Sequence, residues 1–468
     1  MARNEEMSSM NEALKHGIKI HEESSKEELF KNIKEAKSRL EQFQSSKPKL
    51  QKVPDMLRDH TSFEKYYEPR AVAIGPFHHA KERCQLAEKF KLALTAKFVE
   101  DSDCTAEDLH KIIEDNINTL RDCYDEEATR SYTDKALTQL LFLDGCSTLQ
   151  FIYSFIYNEL PYFKIKRDQV AFAQQDLFLL ENQLPYQVLK LLMNKSHKKE
   201  ELNNAIHDFV RNNIMAATKK THKHKRVSQP EDRININEVE EPTHLLELLR
   251  TEMLGPKDEG NKICTNQRQS FRNIQELKAA GIQLKPSKTS TLKDISFKSL
   301  GFVGFLHLPP ISVDDSMGPK FLNLIAYEMC PDFENDFEVT SYICLLDSLI
   351  DHADDVKELR SADVLYNLLG SDEEVARLFN EIGTDLVPNS ATYCNVKNEI
   401  EKHYKSKGKT WMAQFCHEHF SSPWTILAFL GVLAALGLSS IQTWYTITSP
   451  PSACDAVCEC LKKQLKIE

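Results

Sequence analysis

A stretch without any formally charged residue lies near the end of this 468-residue chain and constrains its fold most. Between Glu418 and Asp455 the sequence contains no Asp, Glu, Lys or Arg. A bilayer core about 30 Å thick is crossed by about 20 helical residues, and aromatic residues mark its two interfaces. The sequence therefore predicts a transmembrane helix over 423–447. The residues assigned to this span are Trp424, Leu427, Leu430, Leu433, Leu436, Leu438, Trp444 and Tyr445.

Two other structures fit this apolar stretch less well. A core helix of a soluble protein rarely reaches this length without a charge, and a helix lying along a membrane surface needs a charged face. The first 25 residues are polar and contain no apolar signal core. We therefore expect a single-pass protein whose large N-terminal part is cytosolic, with the plasma membrane as its location. Lysines occur on both sides of the span, so the positive-inside rule adds little.

The tail after the span, residues 448–468, carries Cys454, Cys458 and Cys460. In the expected orientation the tail lies outside the cytosol, where these thiols can oxidise with one another or with a partner chain. In the reversed orientation they are candidate palmitoylation sites, and unmodified free thiols are the third alternative. The other nine cysteines contain no CxxC pair, which indicates buried or idle thiols in a reducing compartment.

The long segment before the span is typical of a mainly α-helical protein. Glycine is scarce, with 14 in the whole chain, and apolar residues recur with a period near 3.6. Ser371 or Asp372 is placed to cap the last predicted helix. The predicted helices cover residues 81–100, 106–125, 134–157, 175–193, 320–330, 340–360 and 372–382.

Two segments interrupt the helical pattern. Residues 216–243 hold a basic run followed by acidic residues, which indicates a solvated, mobile loop; a nuclear-import or phosphate-binding patch is the alternative. Residues 281–315 alternate apolar and polar positions between glycines and prolines, which predicts a small antiparallel β element. The expected organisation is a polar N-terminal region at 1–60, a helical body at 61–420, the span at 423–447 and the tail at 448–468.

An amphipathic helix is predicted within the N-terminal region, over residues 26–43. Its apolar residues Leu29, Ile33, Ala36, Leu40 and Phe43 follow one another at steps of three and four. We expect this short helix to pack on the body. Self-association through it is the alternative, and the protein would then be an oligomeric scaffold.

No intact catalytic motif occurs in the sequence. The patterns GxSxG, GxGxxG and HExxH are absent, and His403 replaces the first glycine of a phosphate loop ending at Thr410. The formal charge of −11 has the wrong sign for a basic surface that binds nucleic acid. We therefore expect no catalytic centre, no cofactor, no bound metal and no nucleic-acid partner.

Three clusters could hold a metal but have simpler interpretations. The adjacent side chains of His78 and His79 diverge in either helix or strand. The segment 416–419, Cys-His-Glu-His, would need further ligands for zinc, and we expect a polar flank of the span. The acidic residues of 347–355 share one helix face, which favours a solvated surface; a metal-dependent enzyme using this face is the alternative. These acidic residues are Asp347, Asp351, Asp354 and Asp355.

Several ordered blocks resemble one plant family. The segments 67–79 (YEPRAVAIGPFHH), 143–146 (LDGC), 176–185 (DLFLLENQLP), 308–315 (LPPISVDD), 321–328 (FLNLIAYE), 351–356 (DHADDV) and 369–374 (LGSDEE) are similar to the DUF247 (UPF0481) proteins. The span from 423 agrees as well. The motif residues singled out are Gly75, Pro76, His78, His79, Glu181, Asn182, Gln183 and Pro185.

The resemblance implies a mostly helical plant protein with one C-terminal membrane span and no established catalytic activity. Some members of this family are linked to self-incompatibility, so the resemblance implies recognition of an unknown protein partner. This chain departs from the family pattern at Ala80, where glycine is usual, and its tail is long.

Overall fold

A computed structural model describes residues 29–36, 49–58, 62–214, 241–256, 272–333, 336–405, 423–448 and 453–465. Within these ranges the chain is mainly helical with a few short strands, as the sequence predicts. The charged insert expected at 216–243 lies outside them up to residue 240, and so does the segment 416–419.

The helices of the first half are short apart from three. They are residues 29–36 (α1), Asp55–Arg58 (α2), Phe63–Tyr67 (α3), Gln85–Glu100 (α4), Ala106–Asp115 (α5), Ile117–Asp122 (α6), Glu126–Thr129 (α7), Asp134–Ile156 (α8), Arg167–Asp176 (α9), Tyr186–Met193 (α10) and Lys199–Asn213 (α11). Single 3₁₀ turns lie at Glu82–Cys84 and Leu160–Phe163.

The second half contains the strands and the remaining helices. The helices are Leu245–Leu254 (α12), Ile274–Ala279 (α13), Met317–Glu328 (α14), Glu338–Leu349 (α15), Ala353–Ser361 (α16), Asp372–Gly383 (α17), Cys394–Lys405 (α18), Pro423–Thr448 (α19) and Ala453–Gln464 (α20). The strands are Ile282–Pro286 (β1), Ser296–Leu300 (β2), Val303–Leu308 (β3), Ile311–Val313 (β4) and Leu365–Asn367 (β5).

Helix α8 forms the centre of the first half. It packs against α4, α5, α10 and α11, and Thr133 caps it by accepting a hydrogen bond from the N–H of Ala136. Gly145 permits the close approach of α10, because a Cβ there would lie 2.6 Å from a methyl carbon of Leu192. The predicted helix over 134–157 is confirmed, and its position explains why it carries few charges.

Helix α14 forms the centre of the second half. All of its residues are buried, and it packs against α3, α12, α15 and α17. Such a helix is apolar on every side rather than along one stripe. The polar residues that it does contain, Lys320, Asn323 and Glu328, are therefore bonded to other parts of the body.

The β element is a mixed sheet rather than an entirely antiparallel one. Strand β2 runs antiparallel to β3, as expected, but β1 pairs with β3 in parallel, with Ile282 opposite Gly304. Strand β4 pairs in parallel with β5, which the sequence did not predict. A three-residue strand carries too little periodicity to identify, and its partner lies more than fifty residues away in the chain.

The helix predicted over 175–193 is wrong in its first half. Helix α9 ends at Asp176, and α10 begins only at Tyr186. The intervening residues 177–185 form a buried segment without regular structure. Pro185 disfavours helical geometry in the residue before it, and polar side chains bond the backbone of this segment in place of a helix. The helix predicted over 106–125 is likewise divided, at Asn116.

The helix predicted over 340–360 is also two helices. Helix α15 ends at Leu349, and α16 starts at Ala353 after His352 has left the helical region. The side chain of Asp355 accepts hydrogen bonds from the N–H groups of Asp351 and His352, which fixes the break. At the following helix, Ser371 accepts a hydrogen bond from the N–H of Glu374, which confirms the predicted cap.

Helix α19 is separate from the packed body. Its stretch Leu427–Thr448 is long and apolar enough to cross a membrane, and none of it is buried in the protein. The eight residues assigned to the span are 48–77% exposed. The first helix, α1, also exposes Leu29, Phe30 and Ile33 by half or more, so its described turns do not pack on the body as expected.

Candidate functional site

The two longest motif segments, 67–79 and 176–185, meet in the core around Asp176. Its carboxylate accepts hydrogen bonds from three consecutive N–H groups, those of Arg70 (2.9 Å), Ala71 (2.6 Å) and Val72 (2.9 Å). Burial raises the pKa of Asp176 to about 6, although these three donors favour the carboxylate. One side chain at the end of α9 thus sets the path of the first motif.

Asn182 provides the second connection between the motif segments. Its Oδ1 accepts a hydrogen bond from the N–H of Ile74 at 2.8 Å. Its Nδ2 donates to the carbonyl oxygens of Val72 (3.0 Å) and Asp176 (2.9 Å). A fully buried amide that uses both ends in this way replaces the β-ladder hydrogen bonds that the segment lacks.

Gln183 holds the irregular segment itself. Its Nε2 donates to the carbonyl oxygens of Leu177 and Leu179, each at 2.8 Å. Its Oε1 accepts a hydrogen bond from the N–H of Leu246 at the start of α12, at 3.1 Å. Pro185 then ends the segment directly before α10. The motif glutamine therefore satisfies the carbonyl groups of a buried loop, which would otherwise destabilise the core.

Gly75 lies where the first motif approaches this loop most closely. Its φ is +71°, and a Cβ would lie 2.8 Å from the carbonyl oxygen of Gln183. Its N–H donates to Oδ2 of Asp144 at 2.8 Å. The other oxygen of Asp144 accepts from Nζ of Lys91 at 2.6 Å, and this Nζ also donates to the carbonyl of Ala73 at 2.5 Å. Only glycine fits both the conformation and the space.

Glu181 and His78 form the outer edge of the network. Oε1 of Glu181 accepts hydrogen bonds from the N–H of Val53 at 2.8 Å and from the guanidinium of Arg58. Nε2 of His78 lies 3.4 Å from Oε2 of Glu181 and forms no hydrogen bond with any residue that the structure describes. Burial, together with the charges of Lys81 and Arg58, lowers the pKa of His78 to about 3. The imidazole is therefore neutral near pH 7.

The second motif histidine faces solvent instead. His79 is exposed, and its ring lies edge-on to Tyr132, whose hydroxyl donates to the carbonyl oxygen of Pro76. One histidine is therefore buried and its neighbour exposed, in agreement with the expectation that the two adjacent side chains diverge. In the part of the chain that the structure describes, no group of three His, Cys, Asp or Glu residues is placed to hold a metal ion.

The acidic residues of 347–355 do not share one helix face. Asp347 lies in α15, and Asp355 lies in α16, where its carboxylate also accepts from the N–H of Gln275. Burial and the neighbouring Asp351 raise the pKa of Asp347. The prediction of a single solvated arc is wrong because the helix breaks at residues 350–352.

Sequence reasoning missed three residues of the network as site residues. Asp144 and Lys91 occupy inward positions of α8 and α4, and Asn323 lies in the fully buried α14. Oδ1 of Asn323 accepts from the N–H of Leu180 at 2.7 Å, and its Nδ2 donates to the carbonyl of Tyr66 at 2.9 Å. These residues could have been found from the sequence as polar side chains at apolar positions of a helix. A buried polar side chain is rarely tolerated there without hydrogen-bond partners.

This arrangement joins separate segments of the body. The carboxylates of Asp144, Asp176 and Glu181 each accept hydrogen bonds from backbone or basic groups. Lys91, Asp144, Asp176 and Asn182 of this network are at most 2% exposed. The motif residues therefore act together as a structural centre that holds the two motif segments against α8 and α14.

Comparison with known proteins agrees with this assignment of the motifs. A family model for DUF247, described as a plant protein of unknown function, matches residues 50–438. The chain belongs to the DUF247 family. The match includes every motif segment of the network and ends inside α19.

Two Arabidopsis thaliana relatives of this DUF247 protein carry the name UPF0481 protein. One is 28% identical over 422 residues, which cover 82% of this chain and 83% of the relative. The other is 27% identical over 178 residues, which cover 38% of this chain and 33% of the relative. No solved structure matches the chain. Neither the family description nor these names include an activity.

Proposed function

We propose that this DUF247 protein is a non-enzymatic, membrane-anchored protein whose helical body recognises a protein partner. The observation that carries the proposal is α19, which exposes the whole apolar stretch Leu427–Thr448 outside the body. Its 26 residues extend about 39 Å at 1.5 Å per residue, more than the thickness of a bilayer core.

The exposed side chains of α19 need an apolar environment. Burying one leucine, isoleucine or phenylalanine removes about 1.5–3 kcal/mol of unfavourable hydration, and α19 exposes many such residues. A protein groove would cover one side of the helix, whereas these residues surround it. Leu427, Leu430 and Val432, for example, lie on different sides of the helix and are all more than half exposed. Lipid surrounds a helix on every side and is therefore its proposed environment.

Orientation is a further part of the proposal: the body faces the cytosol and the tail the opposite side. Lys402 and Lys405 precede the span but Lys462 and Lys463 follow it, so the positive-inside tendency adds little to this proposal. Six cysteines of the body within the described ranges are free, which suits a reducing compartment. Cys394 is disulfide-bonded, in contrast to the expectation that the body holds only thiols, and it favours the reverse orientation. A topology measurement therefore belongs with this proposal.

The proposed absence of catalysis is supported by the closed motif network. Its carboxylates and amides are bonded to the backbone, and the acidic residues of 347–355 are divided between two helices. A role of the partner recognition in self-incompatibility or signalling is proposed from the family resemblance alone.

Proximity labelling in intact plant cells tests the proposal. The labelling enzyme is fused to the N-terminus of the full chain, of a chain ending at Phe420, and of that truncated chain followed by an unrelated apolar span. We expect a common set of membrane-dependent neighbours for the first and third fusions. Identical neighbours for all three fusions would contradict a role for anchoring in recognition.

An oligomeric scaffold is the second candidate, and α1 is the observation that favours it. Leu29, Phe30 and Ile33 are 50–57% exposed within this helix. The mass of the protein in nanodiscs, measured by light scattering, would fall to that of one chain when these three residues are replaced by serine. An unchanged mass would exclude α1 as the association surface.

A further inference from the structure

We propose that the body holds a binding site for a small organic monoacid, with an apolar ring or branched chain attached to one carboxylate. The site is a pocket of about 170 Å³ beside the motif network, between α4, α8 and α9. This proposal concerns the body alone and does not depend on the membrane anchor.

The pocket is apolar inside and has a preformed wall. Phe90 of α4, Phe151 of α8 and Phe172 of α9 line it, together with the backbone of residues 70–72. That backbone cannot move freely, because the N–H groups of 70–72 are bonded to Asp176. Preformed apolar concavities with few polar groups are typical of small-molecule sites.

The charges of the pocket predict a single negative charge on its occupant. Three basic side chains line it: Arg83 pairs with Glu64 and Glu68, and Lys91 pairs with Asp144. Among the described residues, no carboxylate oxygen forms an ion pair with Arg70; the buried carboxylate of Asp176 interacts with its charge from a greater distance and is already bonded to three backbone N–H groups. One guanidinium without an ion-pair partner matches one carboxylate, whereas a phosphate dianion would need a second cation.

Arg70 is held in position for such a ligand. Its backbone N–H is fixed by Asp176, and its guanidinium carbon lies 4.1 Å from the centre of the Phe172 ring. The side chain is exposed, which places the guanidinium at the opening of the pocket rather than at its floor. A planar guanidinium stacked on an aromatic ring keeps its N–H edge free to bind a carboxylate with two hydrogen bonds.

The volume limits the apolar part of the ligand to about one ring. An engineered protein cavity of about 150 Å³ accepts one benzene molecule, so a pocket of about 170 Å³ accepts a phenyl ring or a short branched chain. An acid with about ten non-hydrogen atoms is expected to bind with a Kd of roughly 0.1–1 mM.

The test is a titration of the full chain in nanodiscs, since detergent tails could fill an apolar pocket. The probes are benzoate, phenylacetate and 4-methylpentanoate, each compared with its uncharged amide by calorimetry. We expect the acids to bind at least tenfold more tightly than the amides. Equal binding of acid and amide, or no binding of any acid at millimolar concentration, would overturn the proposal.

Variants locate the binding in this pocket. Arg70→Gln should remove the preference for the acid, and Ala173→Leu should abolish binding by filling the space between α9 and α4. The matched controls Arg167→Gln and Ala171→Leu change exposed positions of α9 and should bind as the unaltered protein does. Binding that survives Ala173→Leu would place the site elsewhere and contradict the proposal.

Folding of each variant is checked through Cys146, whose thiol is fully buried and reacts only after unfolding. If Ala173→Leu fails this check, Ala87→Leu fills the same pocket from α4 and takes its place. Binding that persists in a folded Ala87→Leu variant would likewise contradict the proposal.

Discussion

Lys91 and Asp144 form a buried ion pair at the centre of the body, with Nζ 2.6 Å from Oδ1. The same carboxylate accepts the N–H of Gly75, so one pair connects α4, α8 and the first motif segment. Burial opposes the charged ammonium group, but Asp144 holds the pKa of Lys91 above its usual value. Burial raises the pKa of Asp144, whereas Lys91 and the N–H of Gly75 favour its carboxylate, so each group of the pair depends on the other for its charge.

Lys91→Met should lower the free energy of unfolding by about 3–5 kcal/mol, because it leaves the carboxylate of Asp144 buried without its cation. Lys97 lies in the same helix as Lys91 and pairs with Asp101 near the surface. Lys97→Met should lower the free energy of unfolding by at most about 1 kcal/mol. Denaturant titration in nanodiscs, followed through the reactivity of the Cys146 thiol, measures both. Equal losses would show that the buried pair has no special role.

Ala80→Gly should stabilise the protein by about 1 kcal/mol. Ala80 has a φ of 68°, and the left-handed region costs a residue with a Cβ about 1–2 kcal/mol. The greater freedom of glycine in the unfolded chain offsets part of this gain. Ala93→Gly, at an exposed position within α4, is the control and should destabilise by about 1 kcal/mol. The same denaturant titration decides, and a loss of stability in both variants would contradict strain at Ala80.

Stability should fall as the pH drops below about 6.5. Burial lowers the pKa of His78 to about 3 and that of His244 to about 4, so the folded protein binds fewer protons than the unfolded chain. Their contribution is complete above the unfolded pKa near 6.5 and is lost as the pH falls towards the folded values, by up to about 1.4 kcal/mol per pH unit for each histidine.

The raised pKa of Asp176 makes the folded protein more stable as the pH falls, which opposes the effect of the two histidines. Variants are therefore needed to isolate the contribution of His78. His78→Gln should flatten the decrease in stability between pH 6.5 and 5, which thermal unfolding at several pH values measures. His79→Gln changes the exposed neighbour and should leave the slope unaltered. An equal slope in the unaltered protein and in His78→Gln would mean that His78 is not buried in its neutral form.

Asn194 reports the orientation of the body. It is exposed and begins an Asn-Lys-Ser sequon, so a glycosylating enzyme of the secretory pathway could reach it. With a cytosolic body it should stay unmodified, and glycosidase treatment should not change the mobility of the protein. Ser196→Ala, which removes the sequon, is the control. A glycosidase-sensitive band that disappears in Ser196→Ala would invert the proposed orientation.

The sequence was informative wherever local patterns decide the structure. Helix α8, the cap at Ser371 and the apolar helix α19 follow from periodicity, capping and composition. The loop at 177–185 could not be predicted, because its apolar residues have helical spacing while its hydrogen bonds come from Asn323 and other distant groups. The family motifs identified Asn182 and Gln183, but only the fold shows what their amides bind.

The strand pairing was beyond local reasoning for a related reason. Antiparallel pairing of β2 and β3 follows from their short connection, which Gly301 makes with a φ of +60°. The parallel pairs β1–β3 and β4–β5 depend on connections that cross other elements, and alternation of apolar residues does not reveal direction. The pocket at Arg70 likewise requires three helices that are separated in the sequence.

Carbonate extraction of membranes tests the anchor most directly. The full chain, a chain ending at Phe420, and that truncated chain carrying an unrelated apolar span of about 20 residues are expressed in plant cells. The account predicts that the full chain and the restored chain stay in the membrane pellet while the truncated chain is released. A truncated chain that remains in the pellet, or a full chain that is washed out, would contradict the assignment of α19 as the membrane span.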